Sequence, residues 1–278
     1  MFPILFSIGS IHIFSFSVFL VLSWVIFSFI FWKSLRRNVS DEQQIFDLMF
    51  YSTLVSIFAS RLTFVLFHWS LFAETPLKIF AFWVQPGLSL YGALFGCIVT
   101  LLFKMRQYKL RLAFISDALA FSLPSALLVG EIGSLLDGTV IGKATNLPFA
   151  VLYVGHLGSR HPVQIYAMVV LTAIISLLVL LQKKAEKDKW SYGLMGIWFF
   201  LLYSLSMFVL EFLQESSVYF SYLSANQWVL IAIFAETLGA FYVRGGGREY
   251  FRPKFHGVQT LVLLKLKDTY AKISKRRS

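Results

Sequence analysis

Long apolar segments separated by short polar stretches run through most of the chain, and they constrain the fold more than any other feature. A helix needs roughly 20 mostly apolar residues to cross the hydrocarbon core of a bilayer. The chain is 58% hydrophobic and only 14% charged, against about 25% charged in soluble domains. We therefore predict an all-α, polytopic membrane protein with about seven transmembrane helices, at about 11–32, 44–68, 88–103, 113–136, 162–182, 192–213 and 226–243.

The basic residues predict how these helices are oriented, because Lys and Arg accumulate in cytoplasmic loops. All but four of the 25 basic residues follow the first, third, fifth or seventh segment; the exceptions are Arg61, Lys78, Lys143 and Arg160. We therefore expect the N-terminus outside and the C-terminus in the cytoplasm. The first segment is interpreted as a retained helix, because no small-residue cleavage site follows it.

We divide the chain into a seven-helix membrane domain, 1–243, and a basic cytoplasmic tail, 244–278. The tail either lies along the membrane surface, drawn to anionic lipids, or is solvated. The net charge of +11 is spread as orientation signals between apolar segments, so no nucleic acid partner is expected. Cys97 is the only cysteine, and without a Cys/His ligand pattern we expect neither a metal nor another cofactor.

Polar and ionisable residues gather in the half of the membrane domain that the charge pattern places outside. Such residues are costly inside a bilayer and are commonly functional. The set comprises Arg61, His68, Tyr91, Glu131, Asp137, Arg160, His161, Gln164, Glu211 and Gln214. One interpretation is a cavity that opens outward and meets lipid headgroups. The other is structural, with the two arginines reaching lipid phosphates and the carboxylates pairing with them.

Several stretches of the sequence resemble one known family, the prolipoprotein diacylglyceryl transferases of the bacterial inner membrane. The stretch 89–93 looks like the family's S-F-H-G-G, and 130–142 like its signature G-R-x-G-N-F-x-N-x-E-x-x-G. The stretch 160–166 resembles R-H-P-x-Q-x-Y, and Glu211-Phe212 fits R-x-x-x-E-F. Further similarity lies at 3–9, 61–67 and 76–80, so the resemblance covers nearly the whole chain up to about Arg244.

The resemblance implies a reaction in the outer half of the membrane. The cysteine thiol of a preprolipoprotein attacks a glycerol carbon of phosphatidylglycerol, diacylglyceryl is transferred, and glycerol phosphate leaves. Such a reaction needs a group that takes the thiol proton, because the thiolate is the nucleophile. It also needs cations or N–H donors for the phosphate. The phospholipid and the preprolipoprotein signal peptide are the partners it implies.

The chain departs from the family motifs at several positions that this chemistry uses. The signature arginine is replaced by Glu131, which reverses the charge, and the histidine of S-F-H-G-G by Tyr91. The remaining replacements are Phe16, Ser134, Asp137, Thr139, Ala167, Met207 and Gln214. The residues kept are Arg61, Gly133, Gly142, Arg160, His161, Gln164, Tyr166, Glu211 and Gln227.

Two functions are compatible with this pattern. In a divergent transferase, we expect His161, Tyr91 or Glu211 to handle the proton. The predicted substrate-binding residues are Arg61, Gly133, Asp137, Gly142, Arg160 and Gln164, with the two arginines on the phosphate. The alternative is a non-catalytic relative that binds a lipid or a lipoprotein precursor.

Overall fold

The structure is a computed structural model that describes residues 2–9, 11–81, 84–153, 155–216 and 218–244. Its described residues form seven α-helices: α1 Ser15–Leu35, α2 Glu42–Phe67, α3 Leu90–Tyr108, α4 Leu112–Asp137, α5 Val163–Lys187, α6 Leu194–Glu211 and α7 Ala225–Arg244. The predicted all-α class and the helix count are confirmed. Six of these helices are long and apolar enough to cross a membrane; α3 is not among them, since its last turns contain Lys104 and Arg106.

Short elements fill the connections between the helices. Three antiparallel strand pairs occur: β1 Ile4–Ile8 with β2 Ile11–Phe14, β3 Val151–Leu152 with β4 Ser159–Arg160, and β5 Tyr219–Phe220 with β6 Leu223–Ser224. The α2–α3 connection contains two 3-10 turns, Trp69–Leu71 and Pro76–Ile79.

The helices alternate in direction, so their termini gather at two opposite ends of the molecule. At the first end, hydrogen bonds join the starts of α1, α3, α5 and α7 to the ends of α2, α4 and α6. We name it the site end, because it contains the predicted site residues. At the other end, Asp47 of α2 accepts from Tyr108 of α3, and Asp117 of α4 accepts from backbone N–H groups before α6. We name this the basic end, after its Lys and Arg residues.

Helix α4 lies at the centre of the bundle and packs against α1, α5 and α6. Helix α4 contributes to two buried apolar clusters. One lies near the basic end, where α4 meets α1, α2 and α3 around Phe31, Leu35 and Ile115. In the other, α4 meets α5 and α6 around Ile174 and Phe199. By contrast, many large apolar side chains on the outside of the helices are exposed, as expected for surfaces that face lipid. Fold and surface together define a multi-pass membrane protein.

Two predictions about organisation stay predictions. The structure contains no membrane, so the expected N-outside orientation is untested. Of the predicted tail, only Arg244 lies within the described residues, at the end of α7.

Candidate functional site

The glycine-containing stretch 130–142 forms the end of α4 and the turn that follows it. Helix α4 ends at Asp137, and Gly138 closes it in the left-handed conformation, with φ 72°. A side chain at Gly138 would strain this turn, because L-residues disfavour positive φ. The amide N–H of Phe2 donates to Leu136 O at 2.9 Å, so the N-terminal hairpin β1–β2 lies against this end of α4.

After the turn, the segment 141–145 lies between two other connections and bonds to both. On one side Lys143 N donates to Leu213 O at 2.8 Å, and on the other His161 N donates to Lys143 O at 3.0 Å. Gly142 is needed at this crossing, because a Cβ there would lie 2.1 Å from His161 O. The glycine thus brings the segment containing Arg160 and His161 into contact with the end of the signature stretch.

Gly133 and its neighbours fix the packing of α4 against α1. A Cβ at Gly133 would lie 2.5 Å from Phe19 Cβ, so this close approach also requires glycine. Ser134 and Thr139, which replace the family's asparagine and glutamate, contact each other with their hydroxyl oxygens 2.9 Å apart. The two hydroxyls therefore join the end of α4 to the turn that follows it.

Arg160 forms its ion pair with Glu215, just after α6, and its Nη1 also donates to Gly142 O at 3.1 Å. Its Nε–H is buried without a partner among the described residues. Neither Glu131 nor Asp137 takes part in an ion pair with any residue that the structure describes. The described residues therefore do not show the pairing of Glu131 or Asp137 with the arginines that the structural interpretation includes.

Arg61 lies inside the connection between α2 and α3 and is only 4% exposed. Its Nε, Nη1 and Nη2 donate to the carbonyls of Ile79, Gly87 and Lys78 at 2.9, 3.0 and 3.0 Å. The guanidinium also lies over the Phe72 ring, 5.2 Å from its centre. Arg61 therefore holds this connection in place, and whether it also contacts a phosphate stays a prediction.

A second group of polar side chains joins α3, α6 and α7. The Tyr91 hydroxyl donates to Asn226 Oδ1 at 2.9 Å, and Asn226 Nδ2 donates to Glu211 Oε1 at 3.1 Å. Ser224 Oγ donates to the same Glu211 oxygen at 2.9 Å. The second oxygen, Oε2, has no hydrogen-bond partner among the described residues. Tyr91 and Glu211, which are far apart in sequence, thus belong to one network.

His161 and Gln164 extend the first group at the start of α5. His161 Nδ1 lies 3.2 Å from the Tyr166 hydroxyl. Gln164 is 1% exposed, and both the oxygen and the nitrogen of its side-chain amide are hydrogen-bonded. It accepts from the Tyr153 hydroxyl at 2.8 Å and donates to Val140 O at 2.6 Å. Burial raises the pKa of Tyr153, so its hydroxyl stays a donor at neutral pH. Gln164 therefore ties α5 to the turn after α4.

The predicted site residues thus form two groups. The group around Gly142 contains Arg160, His161 and Gln164, whereas Tyr91 and Glu211 form the network with Asn226. Arg61 instead donates its hydrogen bonds within the α2–α3 connection.

Beside the Tyr91 network lies an apolar groove of about 480 Å³. Tyr91, Phe220, Ala225, Trp228 and Val229 line it. A groove with this lining can accommodate an acyl chain. In the described part of the chain, no group of three His, Cys, Asp or Glu side chains is arranged to hold a metal ion.

Sequence reasoning missed four residues that complete these groups: Tyr153, Glu215, Ser224 and Asn226. The polar run 224–227 directly before an apolar segment was a usable signal for two of them, since such runs commonly cap helices. For Tyr153 and Glu215 no local pattern was informative, because their partners lie on other connections.

These features define a multi-pass α-helical membrane protein with a polar site at one end of its bundle. The family model for prolipoprotein diacylglyceryl transferase matches residues 3–243, and the chain belongs to that family. Relatives named phosphatidylglycerol–prolipoprotein diacylglyceryl transferase share this similarity. The protein from Mannheimia succiniciproducens is 31% identical over 77% of this chain and 80% of its own length. Those from Geobacter sulfurreducens and Wolbachia pipientis are 27% and 28% identical, over 77% and 81% of this chain and 82% and 86% of their own lengths.

Proposed function

We propose that this chain transfers diacylglyceryl from phosphatidylglycerol to the cysteine thiol of a preprolipoprotein at its site end. The family match over residues 3–243 and the names of the relatives support this activity. The protein would lie in the bacterial inner membrane with its site end outside. The lipobox region of the preprolipoprotein's signal peptide and the phospholipid would meet beside the groove lined by Tyr91 and Trp228.

Glu211 is the side chain that the geometry favours as proton acceptor. Its Oε1 is held by Ser224 and Asn226, which leaves Oε2 able to accept a proton from a bound thiol. Tyr91 suits this role less well, because its hydroxyl already donates to a neutral amide. Tyr91 then orients Asn226, and through it Glu211.

The reaction balances without any further reactant. The thiol proton passes to Glu211, and the sulfur forms a bond to the glycerol carbon that carries the phosphate. The bond from that carbon to the phosphate oxygen breaks, and its electron pair leaves with glycerol phosphate. The products are the diacylglyceryl thioether and glycerol phosphate, which takes up a proton according to the pH.

We expect this site to bind the phosphate of the lipid only weakly. Arg160 shares its charge with Glu215, and Arg61 donates to three carbonyls. Loss of one preorganised donor at a transition state typically costs about 2.7–4 kcal/mol. With Glu131 in place of the family's arginine, we expect transfer to be slower than in relatives that keep it. His161, Gly133, Gly142, Asp137 and Gln164 would shape and line this part of the site.

The presence of Glu131 in place of the family's arginine also favours a second candidate, a non-catalytic protein that binds a lipoprotein precursor. In that case, the apolar groove and the Tyr91 network would hold the precursor's signal segment without transfer. The Glu131 position is the specific observation behind this alternative, because a carboxylate there would repel a phosphate.

Mass spectrometry of a lipobox peptide, incubated with the purified full chain in phosphatidylglycerol vesicles, tests the proposal. We expect a diacylglyceryl adduct on the cysteine, and Glu211→Gln should lower its rate at least about 100-fold, as for loss of a general base. Glu74→Gln, on the exposed α2–α3 connection, is the matched control and should leave the rate unchanged. Peptide binding without any adduct would overturn the transferase proposal in favour of the binding protein.

A further inference from the structure

A cleft of about 790 Å³ opens at the basic end, between α1, α4, α5 and α6. Its volume lies within the roughly 300–1,000 Å³ that is typical of small-molecule sites. It lies at the opposite end of the bundle from the site described above and contains none of that site's residues. The family reaction therefore does not explain it.

Three basic side chains line the cleft: Lys33 and Arg37 near the end of α1, and Lys189 after α5. All three are exposed, and none forms a hydrogen bond or an ion pair within the described part of the chain. Their neighbour Arg36 differs, because it pairs with Glu42 at 2.9 Å and lies over the Trp32 ring. Lys33, Arg37 and Lys189 are thus able to bind an anion.

Two carboxylates also line the cleft, and both already have partners. Asp117 accepts from Gly193 N at 2.7 Å and Gly196 N at 3.0 Å. Glu186 accepts from Gln182 Nε2 at 3.0 Å. The cations outnumber the acidic groups among the described lining residues, and neither carboxylate forms an ion pair with them.

Several large apolar side chains also line the cleft. Phe29 and Ile30 line the cleft about one helical turn further into the bundle than Lys33. Phe121 and Leu194 contribute from α4 and α6. The lining therefore changes from cationic at the helix ends to apolar within the bundle, and an amphiphile with an anionic head matches this order.

We propose that this cleft binds the phosphodiester headgroup of an anionic phospholipid from the leaflet at the basic end. Lys33, Arg37 and Lys189 contact the phosphate, and the upper acyl chains cover the apolar lining. A soluble phosphate ester offers the same anion but would leave the apolar lining uncovered. The orientation predicted from the charges makes this the cytoplasmic leaflet, opposite the proposed transferase site.

Photo-cross-linking with peptide mapping tests the site. The full chain is placed in phosphatidylcholine vesicles that contain a phosphatidylglycerol analogue with a diazirine near its glycerol. We expect adducts on peptides that include residues 29–38 and 182–195. The triple variant Lys33→Gln, Arg37→Gln, Lys189→Gln should lower this yield about tenfold or more, since each cation near the membrane surface contributes to lipid binding.

The matched control is Lys183→Gln, Lys184→Gln, Lys187→Gln, which removes three exposed charges of α5 that do not line the cleft. It should keep the yield. An equal loss in the control would overturn the proposal, because a general surface attraction would then explain the adducts. Competition by excess glycerol phosphate would overturn the lipid assignment in favour of a soluble ester. Adducts on 139–161 report the site end separately, so they check folding and keep a failure here distinct from a failure of the transferase proposal.

Discussion

The two ends of the bundle use their charged residues in opposite ways. At the site end the two arginines are bound by the protein itself, Arg61 by carbonyls and Arg160 by Glu215. The carboxylates of Glu131 and Asp137 have no ion-pair partner there among the described residues. At the basic end Asp117 is bound by backbone N–H groups, whereas Lys33, Arg37 and Lys189 form no hydrogen bond or ion pair with any residue that the structure describes.

This difference separates charges that hold the chain together from charges that can meet a ligand. A buried charge is costly unless it is paired and hydrogen-bonded, and Arg61 satisfies that condition with three carbonyls. Its role in the fold is therefore distinct from any role in binding. Among the described residues, Glu131 and Asp137 at the site end and Lys33, Arg37 and Lys189 at the basic end have no ion-pair partner, so these side chains can affect which ligand binds.

The largest effect is expected from replacing Arg61, because its contacts organise the α2–α3 connection. Arg61→Met leaves the carbonyls of Lys78, Ile79 and Gly87 without their donor. Leaving a buried acceptor without its donor costs about 1–3 kcal/mol, so for three carbonyls we expect about 4 kcal/mol less stability. Unfolding in mixed detergent micelles, followed by circular dichroism, measures it.

Lys78→Met is the control for Arg61→Met, because it removes a cation from the same connection but keeps the carbonyl that Arg61 uses. We expect a change within about 0.5 kcal/mol. If both variants lost the same stability, the charge of this connection, and not the hydrogen bonds of Arg61, would hold it in place.

A smaller effect is expected from reversing the charge at Glu131, the position where the family has arginine. Glu131→Arg removes a carboxylate that repels phosphate and supplies a cation. An interaction of this kind is worth about 2.7 kcal/mol, so transfer from phosphatidylglycerol should rise about 100-fold. The lipobox peptide assay measures this rate.

Glu74→Arg provides the matching change of charge on the exposed α2–α3 connection. It should leave the transfer rate within about twofold, because exposed charges are screened by solvent and salt. An equal gain in both variants would mean that net charge attracts the anionic lipid, and that the location of Glu131 has no specific effect on the transfer rate.

The sequence predicted the helices of this molecule well, because helix formation depends on local properties of the sequence, such as the length of its apolar segments. Apolar length determined the seven helices, and Pro162 directly precedes α5, which begins at Val163, one residue after the predicted start. Glycine in the signature stretch was also informative: Gly142 is needed where the segment crosses His161.

The pairing of charges could not be predicted in the same way. Arg160 was predicted to bind the phosphate, with pairing to a carboxylate such as Glu131 as the structural alternative, and it pairs with Glu215 from the connection after α6. This choice depends on how 141–145 lies between two other connections, which is a tertiary feature. The carbonyls that accept from Arg61 likewise depend on the tertiary positions of Lys78, Ile79 and Gly87, which no periodic pattern in the sequence predicts.

The smallest of these effects concerns Asp117, the basic-end counterpart of Arg61. Its carboxylate accepts from Gly193 N and Gly196 N at the start of α6, so Asp117→Ala leaves two N–H groups without an acceptor. Loss of such a cap costs about 0.5–2 kcal/mol, and we expect about 1.5 kcal/mol less stability in the same detergent unfolding experiment.

Asp188→Ala, at the exposed end of α5, removes a carboxylate without a side-chain hydrogen bond among the described residues and should change stability by less than about 0.5 kcal/mol. Equal losses would show that the acidic charge near Lys33, Arg37 and Lys189 matters more than the cap. The contrast between a bound carboxylate and available cations would then no longer describe the basic end.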